Sequence, residues 1–186
     1  MPKAKQKQNP KHQLTAKDYI KLFVAFSFMG LLTFVVFKVA FIPKDAATDA
    51  MVWETLTEHR FTPTDRTTLY REERPNMMIT KNITYSEKSG DDYTLWFEFF
   101  VFEDAQHAMS GYDSLTTELS QIERNYTNDN IDVGGYRANF VYRTLKAGGK
   151  YYYLMRIDNT LLYAYGDETN MDIINQIASE LGYVGD

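Results

Sequence analysis

The amino-acid sequence predicts an α+β domain carried on one transmembrane helix. Three observations lead there. Leu22–Ile42 is an apolar run of 21 residues broken by a single charge, Lys38. Beyond it, segments of helical and strand periodicity follow one another in the order α-β-β-α-β-β-β-α. That order implies an antiparallel sheet of about five strands with helices packed mainly on one face. The charge is also divided: residues 1–21 carry six lysines against Asp18 alone, whereas residues 43–186 carry 24 acidic side chains against 13 basic ones.

The apolar run comes first. At about 1.5 Å per residue it makes a helix roughly 32 Å long, the thickness of a bilayer's hydrocarbon core. A secretory signal would need only about 7–15 apolar residues before a small-x-small cleavage site. Here Leu22–Phe37 is unbroken, and the small residues around Ala46 and Ala50 lie beyond Pro43, Lys44 and Asp45. An uncleaved signal-anchor is the expectation, with residues 22–42 contacting the lipid bilayer. Lys38 sits four residues from the end of the run, where its side chain can reach the interface. Lysines before a first span hold that end in the cytoplasm. The sequence therefore divides into a basic cytoplasmic tail (1–21), a transmembrane helix (22–42), a linker (43–49) and an extracytoplasmic domain (50–186) at the cell membrane.

Composition excludes several function classes. With no cysteine there are no disulfides, no thiol nucleophile and no lipid-modified cysteine, which points to a bacterial envelope. An acidic outer domain is unsuited to nucleic acid, whose phosphates need clustered Lys and Arg. Aromatic residues make up 15% of the chain, enough to build a core in a domain of this size.

Within the outer domain, Val52, Trp53 and Leu56 mark a helix over Ala50–His59. An irregular charged stretch follows, Arg66–Pro75, with a short strand around Thr68–Tyr70. Met78–Glu87 and Tyr93–Phe102 read as a hairpin across Lys88-Ser89-Gly90-Asp91-Asp92. The second of these, YTLWFEFFVF, is apolar on both faces apart from Thr94 and Glu98, as expected of a central strand. Asp104 is a helix N-cap, and Ala105, Ala108, Tyr112, Leu115, Leu119 and Ile122 lay one apolar stripe along the helix that follows. After a polar loop, Asn125–Gly135, come strands over Tyr136–Leu145, Tyr151–Ile157 and Thr160–Tyr165. Ala147-Gly148-Gly149 and Asp158-Asn159 supply their turns. A last helix, Thr169–Leu181, carries Ile173, Ile174, Ile177 and Leu181 and stops at Gly182.

Three stretches, WETLTEHRFTPTD, LWFEFFVFEDAQHAM and YYYLMRIDNTLLYA with the closing IASELGY, give the outer domain a resemblance. It resembles uncharacterised extracytoplasmic α+β domains on small membrane-anchored proteins of Gram-positive bacteria, over roughly residues 50–183. The resemblance implies a fold and a location, and brings no activity with it.

Chemistry is sparsely marked. No H-E-x-x-H, G-x-S-x-G, Walker or dinucleotide pattern occurs, so no catalytic residue, metal or cofactor is implied. His107 falls off the apolar stripe of its helix. The loop from Asn128 lacks the glycine and glutamate that a calcium loop requires at its sixth and twelfth positions. Glu98, in a strongly apolar strand, needs a partner, for which Arg137, Arg143 and Arg156 are the candidates. Tyr142, Tyr151, Tyr152, Tyr153, Tyr163 and Tyr165 crowd three strands, and alternation puts Tyr152 on the face opposite Tyr151 and Tyr153. Tyr152, Tyr163 and Tyr165 are the candidate ligand-binding residues. The function these features favour is a membrane-tethered binding or interaction module with a protein or glycan partner in the envelope. An accessory subunit of an envelope or transporter complex is the alternative. A hydrolase using Glu98 and an acidic neighbour such as Asp92 as a carboxylate pair is the third reading, less favoured than either.

Overall fold

The computed structural model describes residues 16–40, 43–126, 131–136 and 139–184, in two units that divide at Ile42 and Pro43. In the first unit one helix, α1 (Ala16–Ala40), contains a stretch, Lys17–Val35, long and apolar enough to cross a membrane. None of that stretch is buried against protein, unlike a core helix. Phe41 and Ile42, the expected end of the span, lie outside the described residues.

The second unit is a mixed α+β domain built on one antiparallel sheet of seven strands. They are β1 (Thr64–Asp65), β2 (Ile79–Ser89), β3 (Asp92–Phe102), β4 (Ile131–Tyr136), β5 (Phe140–Ala147), β6 (Lys150–Ile157) and β7 (Thr160–Asp167). Their order is β1-β2-β3-β7-β6-β5-β4. Among the described residues four α-helices complete the unit: α2 (Asp49–Glu58), α3 (Thr67–Glu73), α4 (Ala105–Asn125) and α5 (Met171–Glu180).

Three expectations are corrected. The sheet has seven strands where the pattern suggested about five. The two extra strands are a two-residue edge, β1, and β4, which occupies part of the expected polar loop and contains Gly134-Gly135, with no apolar alternation to announce it. Thr68–Tyr70 is helix, not strand. Asp65 accepts hydrogen bonds from the Thr67 backbone N–H, 2.9 Å, and hydroxyl, which starts α3 where the sequence looked extended. The helices cover both faces rather than one. Because β3, β6 and β7 are apolar on both sides, each side needs cover.

Two cores result. On one face Phe97, Phe99, Tyr153, Met155, Leu162 and Ala164 pack under Val52 and Leu56 of α2 and Ile174 and Ile177 of α5. On the other, Phe100, Phe102, Leu145, Leu154 and Leu161 pack under Ala108, Tyr112 and Leu119 of α4 and against Tyr70 of α3. Each fully buried large side chain contributes about 1.5–3 kcal/mol relative to exposure. The turn chemistry follows the sequence. Gly148 and Gly149 both take positive φ, 60° and 75°, as a two-residue primed turn demands. Asp104 caps α4 by accepting from the N–H groups of Gln106 and His107, each 2.9 Å away. Gly182, φ 79°, ends α5, with the Tyr183 N–H returning 2.7 Å to the Ala178 carbonyl.

Candidate functional site

Strand register assembles the site. Trp96 on β3 stands opposite Tyr165 on β7, which stands opposite Tyr152 on β6. The three residues point to the α4 face and form an aromatic ladder across adjacent strands. The Trp96 and Tyr165 rings are 6.1 Å apart at 19°, and those of Tyr165 and Tyr152 are 5.8 Å apart at 22°. All three are half-buried. One step along the strands, Glu98 stands opposite Tyr163, whose ring lies 5.6 Å from that of Tyr165.

These residues floor a cavity of about 400 Å³. One wall is α4, through Ser114, Leu115, Glu118 and Ile122. The other is Tyr70 and Arg74 at the end of α3, with Met77 beyond. This placement explains why Leu115 and Ile122 remain half-buried although they belong to the apolar stripe of α4: they roof the cavity. One end is closed where Gly111 lies against Phe102. A Cβ on Gly111 would meet the Phe102 ring at 2.8 Å and Met77 Cε at 3.5 Å. Phe102 is fully buried, so any shift of its ring to make room disturbs the packing around it. Gly111→Ala should therefore lower stability by about 1 kcal/mol net, because overpacking outweighs the gain of about 1 kcal/mol in helix propensity. Chemical denaturation measures it; a stabilised variant would mean that α4 can move away from the sheet.

The chemistry at the floor centres on Glu98, which is only 6% exposed. The expected arginine partners are elsewhere. Arg143 ties α4 to β5, donating to the Thr116 carbonyl (3.0 Å), Ser120 Oγ (2.7 Å) and Glu123 Oε2 (2.9 Å). Arg156 donates to the Asp158 carbonyl at 2.7 Å, and Arg137 lies outside the described residues. Glu98 instead accepts from the Tyr70 hydroxyl and, at 3.4 Å, from Trp96 Nε1. Burial pushes its carboxyl above the ordinary carboxylate range, opposed by the hydrogen bonds from Tyr70, Trp96 and Asn82 and by the more distant charge of Arg66. Burial likewise raises the phenols of Tyr163 and Tyr165, the latter to about 12, so both stay protonated at neutral pH.

Of the sequence-predicted residues, Tyr152, Tyr163 and Tyr165 come together in the cleft. Tyr151 and Tyr153 face the other way, their hydroxyls donating to Asn175 Oδ1 (2.8 Å) and the Tyr183 carbonyl (2.6 Å). A second hollow of about 410 Å³ lies on that face, and no charged side chain lines it among the described residues. Asp92 begins β3, six residues and roughly 20 Å of strand from Glu98, so the two cannot act as a carboxylate pair. Residues 128–130 of the calcium-like loop lie outside the described residues, and Ile131–Tyr136 is strand. Sequence reasoning missed Trp96, Tyr70 and Glu118. Trp96 was within reach, since it stands two residues before Glu98 on the same face of one strand. Tyr70 and Glu118 come from separate helices and carried no local signal.

Comparison with protein-family models, with curated proteins and with solved structures gives no match. The geometry is what bears on function.

Proposed function

We propose that this is a single-pass protein of the cell membrane whose extracytoplasmic domain binds a ligand in the aromatic cleft. The lysine-rich tail and the apolar α1 support the anchored, N-terminus-inside arrangement. One observation carries the binding role: a half-exposed ladder of Trp96, Tyr165 and Tyr152 shares a cavity with a buried carboxyl. Aromatic faces supply apolar contact area, and a few convergent polar groups fix orientation, which is the composition of small-ligand sites of about 300–1,000 Å³.

Trp96 makes the test direct. The chain has two tryptophans, and the other, Trp53, is 42% exposed on α2. In the full-length Trp53→Phe protein, Trp96 alone reports. A panel of envelope glycan fragments, short peptides and small metabolites should contain a compound that changes its fluorescence saturably, and Tyr165→Ala should abolish that response. A silent panel on folded protein removes the binding role. Topology is tested separately, because the chain has no cysteine. A single cysteine at exposed Ser86 should react with an impermeant maleimide in intact cells, and one at Gln8 only after permeabilisation. The reverse pattern would invert the orientation.

A further inference from the structure

Resting on the reading of the cleft as a ligand site, we infer that the group it recognises is an organic ammonium, seated on the Trp96–Tyr165–Tyr152 ladder with its charge toward Glu98 and Glu118. Four features converge on a cation. The first is an electrostatic vacancy. Glu98 is buried, yet among the described residues no lysine or arginine forms an ion pair with it. A buried carboxylate with no ion pair and only the more distant charge of Arg66 is costly, and a bound ammonium would supply a direct counter-charge.

The second is the ladder itself. Its ring faces carry the negative side of the aromatic quadrupole, which attracts cations. Elsewhere the domain already uses this attraction: Arg66 and Arg74 lie 5.9 and 5.8 Å from the Tyr70 ring centre, and Lys88 lies 4.3 Å from that of Tyr93. Among the described residues, none of the protein's own cations lies over Trp96, Tyr152 or Tyr165, whose rings pack on one another and, at Trp96, edge-to-face against Tyr93, while all three line the cavity.

The third is placement. Trp96 and Glu98 are two residues apart on one face of β3, about 7 Å along the strand. A group resting on the ladder is therefore within reach of the carboxylate. The fourth is sign. The described residues lining the cavity include two carboxylates, Glu98 and Glu118, against one cation, Arg74, which is held over Tyr70. Residues 43–186 carry a formal charge of −11, a field that concentrates cations. An anionic ligand would meet repulsion at both scales.

Binding should strengthen as pH rises, because only the ionised Glu98 attracts an ammonium. The groups facing Glu98 are Asn82 from β2, Tyr70, Arg66 and Arg74 from α3 and its ends, Trp96 beside it, Tyr163 and Tyr165 from β7, and Glu118 from α4. Glu118→Gln is the control that separates the second carboxylate's share.

The experiment uses the full-length Trp53→Phe protein in a polyoxyethylene detergent, which contains neither sugar nor ammonium. The probes are choline and Nα-acetyl-lysine amide. Their neutral counterparts are 3,3-dimethylbutanol and the Nε-acetylated lysine derivative. At least one charged probe should quench or shift Trp96 fluorescence saturably, with its neutral counterpart about tenfold weaker or worse. Glu98→Gln should weaken that probe by about tenfold and flatten its pH dependence, and Tyr165→Leu should weaken it comparably. Response to choline alone identifies a small quaternary ligand; response to the lysine derivative alone identifies a peptide side chain.

Equal binding of charged and neutral counterparts, or unchanged affinity in Glu98→Gln, overturns the ammonium assignment and leaves the cleft as a ligand site. Failure of both charged probes, with a neutral glycan or peptide binding the same Trp96 site, overturns it in the same way. If nothing perturbs Trp96, the ammonium assignment and the binding role fall together. A cooperative thermal transition at or above the wild-type midpoint in Glu98→Gln, and near it in Tyr165→Leu, shows that loss of folding is not the cause.

Discussion

Replacing Tyr183 by alanine should destabilise the domain by about 3–5 kcal/mol, the range for deleting a large aromatic from a core. Tyr183 is fully buried, its ring edge-on to Phe99 at 6.2 Å. Its hydroxyl bonds Thr160 Oγ1, its carbonyl accepts from the Tyr153 hydroxyl at 2.6 Å, and its N–H closes the end of α5. One residue thus fastens α5 to β6, β7 and the core of that face. With typical domain stabilities of about 5–15 kcal/mol, such a loss lowers the melting temperature by roughly 15 °C. Tyr183→Phe should cost only about 1 kcal/mol, since Thr160 Oγ1 also donates to the Ile157 carbonyl at 2.7 Å. Thermal denaturation of the two variants beside Val184→Ala, a neighbour 39% exposed, provides the check. Equal midpoints for Tyr183→Ala and Val184→Ala would contradict the fastening role.

Glu98→Gln should do the opposite and raise stability at neutral pH. Burial holds the Glu98 carboxyl above its ordinary value of 4.5, which the unfolded chain keeps. Between those two values the folded state binds one proton more than the unfolded state. Stability therefore falls as pH rises through that window, and the loss is complete above the folded pKa. Glutamine has no such proton, and its carbonyl oxygen still accepts from Tyr70. Glu98→Gln should match the wild type below pH 4.5 and exceed it at pH 7.5 in urea denaturation. Parallel stability–pH curves for the two proteins would show that Glu98 is ionised in comfort. A stabilising substitution that also weakens ligand binding is the signature of a group retained at the expense of the fold.

The sequence made the local structure legible where one periodicity or one cap decided it. The stripe from Ala105 to Ile122 and the cap at Asp104 marked α4, and Gly90 and Gly148-Gly149 marked two hairpins. The parity of Tyr151, Tyr152 and Tyr153 assigned their faces. What stayed hidden depended on distant pairing. Gly134 and Gly135 give β4 no alternation, and its strand character comes from β5 beside it. The cover on both faces was implicit in YTLWFEFFVF, whose two apolar sides cannot both face water. The cleft needed the register of β3 against β7, which places Trp96 beside Tyr165 although 68 residues separate them in sequence. Glu98 finds its partner in Tyr70 for a similar reason: 28 residues separate them, and Tyr70 lies on a helix where the sequence looked extended.

That pairing of β3 with β7 also governs the order in which the domain can assemble. The β2–β3 hairpin is local and can form as soon as it is made, but its inner edge is then open. The backbone edge of β3 from Leu95 to Val101 has no partner strand until β7, Thr160–Asp167, arrives. At translation rates of about 5–20 residues per second, that interval is roughly 3–11 s. Hairpins form in microseconds, so the nascent chain spends nearly the whole interval presenting a long, aromatic, unpaired strand edge. Long-range closure of this kind makes a slow folder that is vulnerable while incomplete. The most aggregation-prone species of this protein is accordingly not the unfolded chain but the half-made sheet.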